Sequence, residues 1–361
     1  MENKTARIAI NGFGRIGRAS FKIAFDKGLE IVAINDLTNP RVLTHLLKYD
    51  TAYGVYDKEV WLEEDGKRVD LKENRGEKEF FNTKGSENYI VVEGRKTLVI
   101  SEKEPEKLPW KDLDIDVVLE CTGRFTKDDS SLAHITAGAK KVVVSAPTKG
   151  GTIQIFMRGV NESQYLGQNA VSMASCTTNC ISPVLAILDS NFKVIKAGMS
   201  TIHAVTNNQN VVDSPPTGEK VDMRRTRASG YNIIPTTTGA AIATTEALPN
   251  LKNKFDGIAL RVPVLTGSIS DITALVEKDV TEEEINKAFE EAVKDPKYKG
   301  VVKATYEPVV SSDIVKDPHS AIVDLSLTKV IDGNLIKVFA WYDNEWGYST
   351  RLVEMALIMT E

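Results

Sequence analysis

Three cysteines and four histidines are the scarce chemical inventory of this 361-residue chain. Cys176 has the most suggestive setting. It stands in Ser175-Cys176-Thr177-Thr178-Asn179-Cys180, between a strand-like segment at 171–174 and an apolar run at 181–188. That run reads as a helix with Pro183 in its first turn. A cysteine where a strand gives way to a helix gains thiolate character from the helix dipole, and a thiolate attacks carbonyl carbon. It needs a base or cation beside it at neutral pH. His45, His134, His203 and His319 are the candidates. His203 ends an apolar strand-like segment and precedes a polar loop, a typical place for a catalytic group. The residues alone put it only slightly ahead of the others, and His45 and His134 read as ordinary surface or core residues. Cys180, one helical turn past Cys176, and Cys121, at the end of a strand-like run, read as small packing residues. A Cys-x3-Cys pair without further ligands does not complete a zinc set, so no metal is expected.

A second constellation lies at the other end of the chain. Gly12-x-Gly14-x-x-Gly17 follows a strand-like Ala6–Ile10 run and opens a helical stretch at 19–27. The glycines permit a tight turn and close backbone approach to a pyrophosphate seated on the helix N-terminus. This pattern calls for an acidic residue about 20 positions on, at the end of the next strand. Asp36 is there, after the strand-like 29–34 run. Its carboxylate accepts from ribose hydroxyls and repels a 2′-phosphate, which favours NAD over NADP.

The elements that must hold these groups alternate. Strand, helix and strand at 6–34 make a βαβ unit, with parallel strands resuming at 116–120 and 141–145 and a helix between them at 130–137. Between 55 and 100 the pattern changes to two hairpins, one turning at Asp65-Gly66 and one at Glu93-Gly94. The charged stretch 72–88 reads as a surface insertion. Past residue 170, strands are expected at 197–202, 258–262, 271–276 and 321–327. Thr281-Glu282-Glu283-Glu284 is a capping box opening a helix to about residue 294, and 348–359 reads as a closing amphipathic helix.

Composition narrows the class. Hydrophobic residues are 42% and charged residues 26% of the chain, which excludes collagen-like and disordered polymers. The net charge of −5 gives no attraction for nucleic acid or anionic membrane, so neither is an expected partner. Few, odd-numbered cysteines fit a reducing compartment. No secretory signal or spanning segment is visible, and the chain is expected in the cytoplasm.

Together the motifs resemble the glyceraldehyde-3-phosphate dehydrogenase family of the phosphorylating, glycolytic type. The matching stretches are Asn11-Gly-Phe-Gly-Arg-Ile-Gly-Arg18, Ala174-Ser-Cys-Thr-Thr-Asn-Cys180, Asn232-Ile-Ile-Pro-Thr-Thr-Thr-Gly-Ala-Ala241, Leu260-Arg-Val-Pro263 and Trp341-Tyr-Asp-Asn-Glu-Trp-Gly-Tyr-Ser349. The resemblance implies an α/β fold: a Rossmann-type doubly wound parallel sheet domain over 1–174, with a C-terminal helix at 343–361 returning to it, and an α+β catalytic domain with a mixed sheet over 175–342. It implies Cys176 as nucleophile and His203 as its proton partner. Thr206 and Arg261 match the pocket for the substrate's phosphate. Ser175, Thr177, Thr238 and Gly239 match the pocket for the attacking inorganic phosphate, with Arg225 near both. Asn11, Gly12, Gly14, Arg15 and Ile16 match the pyrophosphate end of the NAD site. Asn35 and Asp36 match the adenosine ribose end, Thr122, Gly123 and Phe125 the adenine pocket with Ser145 at the next strand end, and Asn344 and Tyr348 the nicotinamide end. Leu37 and Pro215 are residue types of NAD-preferring members. A homotetramer is also implied.

The chain departs from the family pattern in three places. Segment 57–99 is longer than usual and is expected on the surface. The loop 207–227 is also longer, and Ile242 stands where many members carry lysine. Two other functions share much of this pattern: an erythrose-4-phosphate dehydrogenase, and a non-catalytic binding protein on the same scaffold. The presence of Cys176, His203 and Arg261 together argues against the second.

Overall fold

A computed structural model describes residues 6–69, 87–215 and 222–361. Two compact units emerge. The first comprises Met1–Gln154, Leu166–Ser172 and Leu352–Glu361; the second comprises Ile155–Tyr165 and Met173–Arg351.

The first unit is built on a ten-stranded sheet. Its parallel heart runs, in spatial order, Arg95–Ile100, Glu30–Asn35, Arg7–Asn11, Val117–Glu120, Lys141–Val144 and Ala170–Ser172. Strand order reverses direction on either side of Arg7–Asn11, which makes a topological switch point at the carboxyl ends of Arg7–Asn11 and Val117–Glu120. The central strands carry unbroken apolar runs because a parallel sheet is covered on both faces. Ile8, Ala9, Val117, Val118, Val142 and Val143 are fully buried.

Both expected hairpins form, with Asp65-Gly66 and Glu93-Gly94 each at positive φ as a two-residue turn demands. They do not stay on the surface. Val60–Glu64 pairs with Asn88–Val92, so the hairpins join edge to edge and extend the main sheet. Leu62 and Ile90 are fully buried, and at roughly 1.5–3 kcal/mol per buried aliphatic side chain this segment is part of the core. Asn88, expected in the charged insertion, opens a strand and is buried. Residues 72–86 of that stretch lie outside the described residues, as does 216–221 of the long 207–227 loop. At 130–137 the structure has a 3-10 turn, Ser130–Leu132, and one α-turn, Ala133–Thr136.

The second unit carries a mixed eight-stranded sheet. Its spatial order is Ile234–Thr237, Phe255–Arg261, Val194–His203, Ser268–Val276, Leu335–Tyr342, Ala321–Asp324 and Val302–Thr305, with Lys329–Ile331 paired to Leu335–Tyr342. Burial alternates strictly along Ser268–Val276 and Leu335–Tyr342. One face therefore meets helices Cys176–Phe192 and Glu282–Ala292, whose Ile181, Leu185, Leu188, Ile285 and Phe289 pack with Ile272, Ala274, Ile336 and Val338. The Thr281–Glu284 capping box forms as expected. Residues 155–165, expected in the first domain, fall in the second unit. The reason is packing: Ile155, Met157 and Val160 close a small apolar cluster with Ala174, Ala243 and Ala247. The closing helix, Trp346–Thr360, starts within the second unit for the same kind of reason, because its buried Arg351 donates to the Gly300 carbonyl at 2.6 Å.

Gly17 marks a tight point of the first unit. A Cβ there would lie 2.1 Å from the Gly12 carbonyl oxygen, a backbone atom that cannot swing away. Gly17→Ala is expected to lower unfolding free energy by about 1–3 kcal/mol in denaturant titration; unchanged stability would show that the helix packs less closely than described.

Candidate active site

The first unit opens a cleft of about 310 Å³ at its switch point, lined by Asn11, Gly12, Gly14, Asn35, Asp36, Leu37, Thr122 and Phe125 among others. Gly12 has φ +91°, and a Cβ there would sit 2.7 Å from the Thr122 amide nitrogen. Gly14 caps helix Arg15–Asp26 with open space where a Cβ would be. A glycine cradle at a helix N-terminus thus faces the cleft, as a pyrophosphate requires. Asp36 also lines the cleft, beside the glycine turn. Its Oδ2 accepts from the Phe13 amide at 2.7 Å and its Oδ1 from the Thr38 amide at 2.9 Å. Those bonds fix the carboxylate and leave each oxygen a further lone pair for a diol. The residues present fit NAD.

Not every expected residue lines this cleft. Arg15 turns to Asp50, its Nη1 2.6 Å from Oδ2, and lies 5.4 Å from the centre of the Tyr53 ring. Burial raises the Asp50 carboxyl, but Arg15 and the Tyr53 and Ala52 amides outweigh it and hold it below its ordinary value. Ile16, Gly123 and Ser145 do not line the cleft either, although Gly123 lies between the lining residues Thr122 and Arg124.

In the second unit the chain enters the nucleophile through a strained elbow. Ala174 has φ +52°, rare for a residue with a Cβ. Its carbonyl accepts from the Tyr348 hydroxyl at 3.0 Å. Asn179 reaches back with Nδ2 to the Met173 carbonyl at 2.7 Å and the Ser175 carbonyl at 2.9 Å. Ser175 is the N-cap, its Oγ accepting from the Thr178 amide at 3.1 Å, which contributes about 1 kcal/mol. Helix Cys176–Phe192 therefore begins at Cys176, five residues before the apolar run, and Pro183 lies in its interior rather than its first turn.

Cys176 Sγ is 3.3 Å from His203 Nε2. His203 ends strand Val194–His203, and Arg261 ends the parallel neighbour in register with it. His203 Nδ1 is 2.6 Å from the Ala204 carbonyl oxygen. A carbonyl has only lone pairs, so Nδ1 carries the ring proton and Nε2 presents its lone pair to the thiol. Arg261 Nη1 also lies against Nδ1; that nitrogen cannot accept from the guanidinium while it donates to Ala204, so the Arg261 hydrogen bond goes to the same carbonyl, at 3.0 Å. Burial pushes the imidazole down to about 3, with the Arg261 charge adding to it. Burial pushes the Cys176 thiol up, while Arg261 and the Thr177 hydroxyl and amide pull it back. Taken singly, each partner is held neutral; the proton has a 3.3 Å path between them.

The structure thus joins Cys176, His203 and Arg261. It adds Tyr342, which the sequence reading missed. The Tyr342 hydroxyl contacts Thr177 Oγ1 at 3.0 Å and Thr201 Oγ1 at 2.8 Å, and its ring meets His203 edge-on at 6.0 Å. Burial alternates along its strand and puts it on the inward face, but the run Leu335–Tyr342 is largely apolar on both faces and carries no such signal. Thr177 and Ser175 accordingly use their hydroxyls within the protein. Arg225 Nε donates to Thr236 Oγ1 at 3.0 Å, and its charge is felt at His203. Thr206 Oγ1 donates to Asn208 at 2.7 Å. Thr238 Oγ1 accepts from the Ala240 amide at 3.1 Å beside Gly239, the N-cap of helix Ala240–Ala247. No hydrogen bond among the described residues joins Thr206, Thr238 or Gly239 to Cys176. Asn344 is buried, its Oδ1 accepting from Ser268 at 3.0 Å and Thr266 at 3.3 Å.

Comparison with known proteins agrees with both halves of this arrangement. The family profile described as glyceraldehyde 3-phosphate dehydrogenase, NAD binding domain, matches residues 6–79 and 71–128, and that of the C-terminal domain matches 175–344. The chain is 45% identical over 359 residues to a glyceraldehyde-3-phosphate dehydrogenase of Streptomyces coelicolor, covering 98% of both chains. It is 46% identical over 357 residues to that of Borreliella burgdorferi, covering 97% of this chain and 98% of the other. Glyceraldehyde-3-phosphate dehydrogenase 2 of Bacillus subtilis is 45% identical over 352 residues, with 97% of this chain and 95% of the other covered. With profiles matched across both of its halves and relatives aligned almost end to end, this chain belongs to the glyceraldehyde-3-phosphate dehydrogenase family.

Proposed function

We propose that the chain oxidises glyceraldehyde 3-phosphate with NAD and inorganic phosphate to 1,3-bisphosphoglycerate, with Cys176 as nucleophile. The observation that carries this reading is the 3.3 Å approach of Cys176 Sγ to a His203 Nε2 lone pair at a helix N-terminus, beside Arg261. His203 takes the thiol proton as sulfur attacks the aldehyde. The resulting thiohemiacetal oxygen forms near the helix amides, which stabilise developing negative charge. NAD, when bound, supplies the acceptor for the two electrons that leave that carbon. A thioester then remains on Cys176, more reactive than an ordinary ester, and inorganic phosphate cleaves it and restores the thiol.

Arg261 and Thr206 hold the substrate's phosphate in this scheme. Arg225, Thr238, Gly239 and the start of helix Cys176–Phe192, with Ser175 and Thr177, receive the attacking phosphate. Guanidinium forks and helix-start amides are the donors such anions require. Because the Ser175 and Thr177 hydroxyls are already engaged, backbone amides are their main contribution. Asn344 and Tyr348 serve the nicotinamide end, and Arg15, Ile16, Gly123 and Ser145 are assigned to the cofactor without lining the cleft. We further read the chain as a cytoplasmic homotetramer acting in glycolysis. Among the described residues no helix is long and apolar enough to cross a membrane.

NADH formation from glyceraldehyde 3-phosphate, with and without inorganic phosphate, tests the reading. Sustained turnover is expected only with phosphate; turnover without it would mean water cleaves the thioester. Erythrose 4-phosphate in the same assay should be the poorer substrate. Cys176→Ser should lower turnover by at least about a thousandfold while NAD still binds, and retained activity would remove the nucleophile assignment. Asp36→Ala should weaken NAD binding and relax discrimination against NADP. The rate of Cys176 alkylation by iodoacetamide against pH reports on the thiol directly. Arg261→Leu removes a cation that favours the thiolate, so its midpoint should move to higher pH; a midpoint that stays put would show that the guanidinium does not act on the sulfur.

A further inference from the structure

Beneath the cleft lies a buried polar chain that the reaction itself does not use. Glu120 is 1% exposed and His134 fully buried. Trp110 Nε1–H donates to His134 Nδ1 at 3.0 Å. Nδ1 must therefore hold a lone pair, which puts the ring proton on Nε2. That Nε2–H faces Glu120 Oε2 at 2.9 Å. The same oxygen accepts from Asn11 Nδ2, and the other, Oε1, accepts from the Thr122 amide at 2.8 Å and from the Thr122 hydroxyl. Asn11 Oδ1 in turn accepts from Asn35 Nδ2 at 2.7 Å. Asn11, Thr122 and Asn35 all line the cleft.

We propose that Glu120 is a positioning residue for the cofactor, with His134 and Trp110 fixing its orientation, so that one buried carboxylate sets Asn11 and Thr122 at the switch point. The inference rests on the cleft being the NAD site. A carboxylate fits here because every group around it is a donor. A glutamine of the same shape would turn an NH2 toward donors and could match only one side. The indole makes the chain directional: with Nδ1 already accepting, the imidazole cannot swap its proton to suit another partner. Buried polar chains of this kind are sensitive, since an unmatched member costs more than a matched one contributes.

The test is steady-state kinetics of full-length variants with NAD varied. Glu120→Gln should raise KM for NAD about tenfold, while kcat at saturating NAD and KM for glyceraldehyde 3-phosphate change less than twofold. His134→Leu, which deletes the donor, should do the same. His134→Gln, whose amide can still donate to Glu120, should restore KM for NAD to within about threefold of the parent. Should Glu120→Gln fail to fold, Trp110→Phe removes only the outermost donor and should still raise KM for NAD selectively. Iodoacetamide alkylation of Cys176 without NAD serves as a folding control. A folded Glu120→Gln or Trp110→Phe with unchanged KM for NAD overturns the proposal, as does a uniform loss in all three kinetic constants. Asp36→Ala separates the two readings: if it too leaves NAD binding untouched, the cleft assignment fails, and if it weakens NAD while Glu120→Gln does not, only the positioning role fails.

Discussion

The catalytic half of this protein depends on one backbone constraint, the left-handed turn at Ala174. A residue with a Cβ holds that conformation at a cost of order 1–3 kcal/mol, and only where its surroundings over-determine it. They do so here. Tyr348 holds the Ala174 carbonyl, and Asn179 holds the carbonyls on either side of it. The Ser175 side chain then starts the helix, so that Cys176 can only be its first residue. Once the turn is fixed, the sulfur's direction is fixed, and the ends of two parallel strands bring His203 and Arg261 to it.

Charge placement in the two units follows opposite logic. Around Cys176 burial holds thiol and imidazole neutral, and the Arg261 guanidinium favours the thiolate while opposing a charged imidazole. Around Glu120 a carboxylate is surrounded by donors from three segments that leave it nothing to exchange. The first arrangement is suited to moving a proton, the second to holding atoms still.

Much of this was legible in the residues. The glycine spacing and Asp36 announced the nucleotide cleft, and Cys176 announced itself by standing between a strand and a helix. Long-range pairing was not legible. Nothing local to 60–64 or 88–92 says that the two hairpins will join and bury Leu62 and Ile90. His134 looked ordinary because its partners, Trp110 and Glu120, are 24 and 14 residues away and recognisable only once folded. Tyr342 lay in a nearly all-apolar run, and its role depends on Thr177 and Thr201, which come from separate elements. The start of the long helix was misplaced because Pro183 reads as a first-turn residue, whereas tertiary packing here tolerates it inside.

The bond from Asn11 to Glu120 spans 109 residues of chain. The hairpins of the same sheet close across two residues and can form in microseconds. Strand Arg7–Asn11, by contrast, has no partner on its switch-point side until the chain past residue 120 is available. High contact order of this sort slows folding and leaves apolar strand edges exposed meanwhile. On the ribosome, the glycine turn that begins the chain must therefore wait, through synthesis of about a third of the protein, before it has a cleft to belong to.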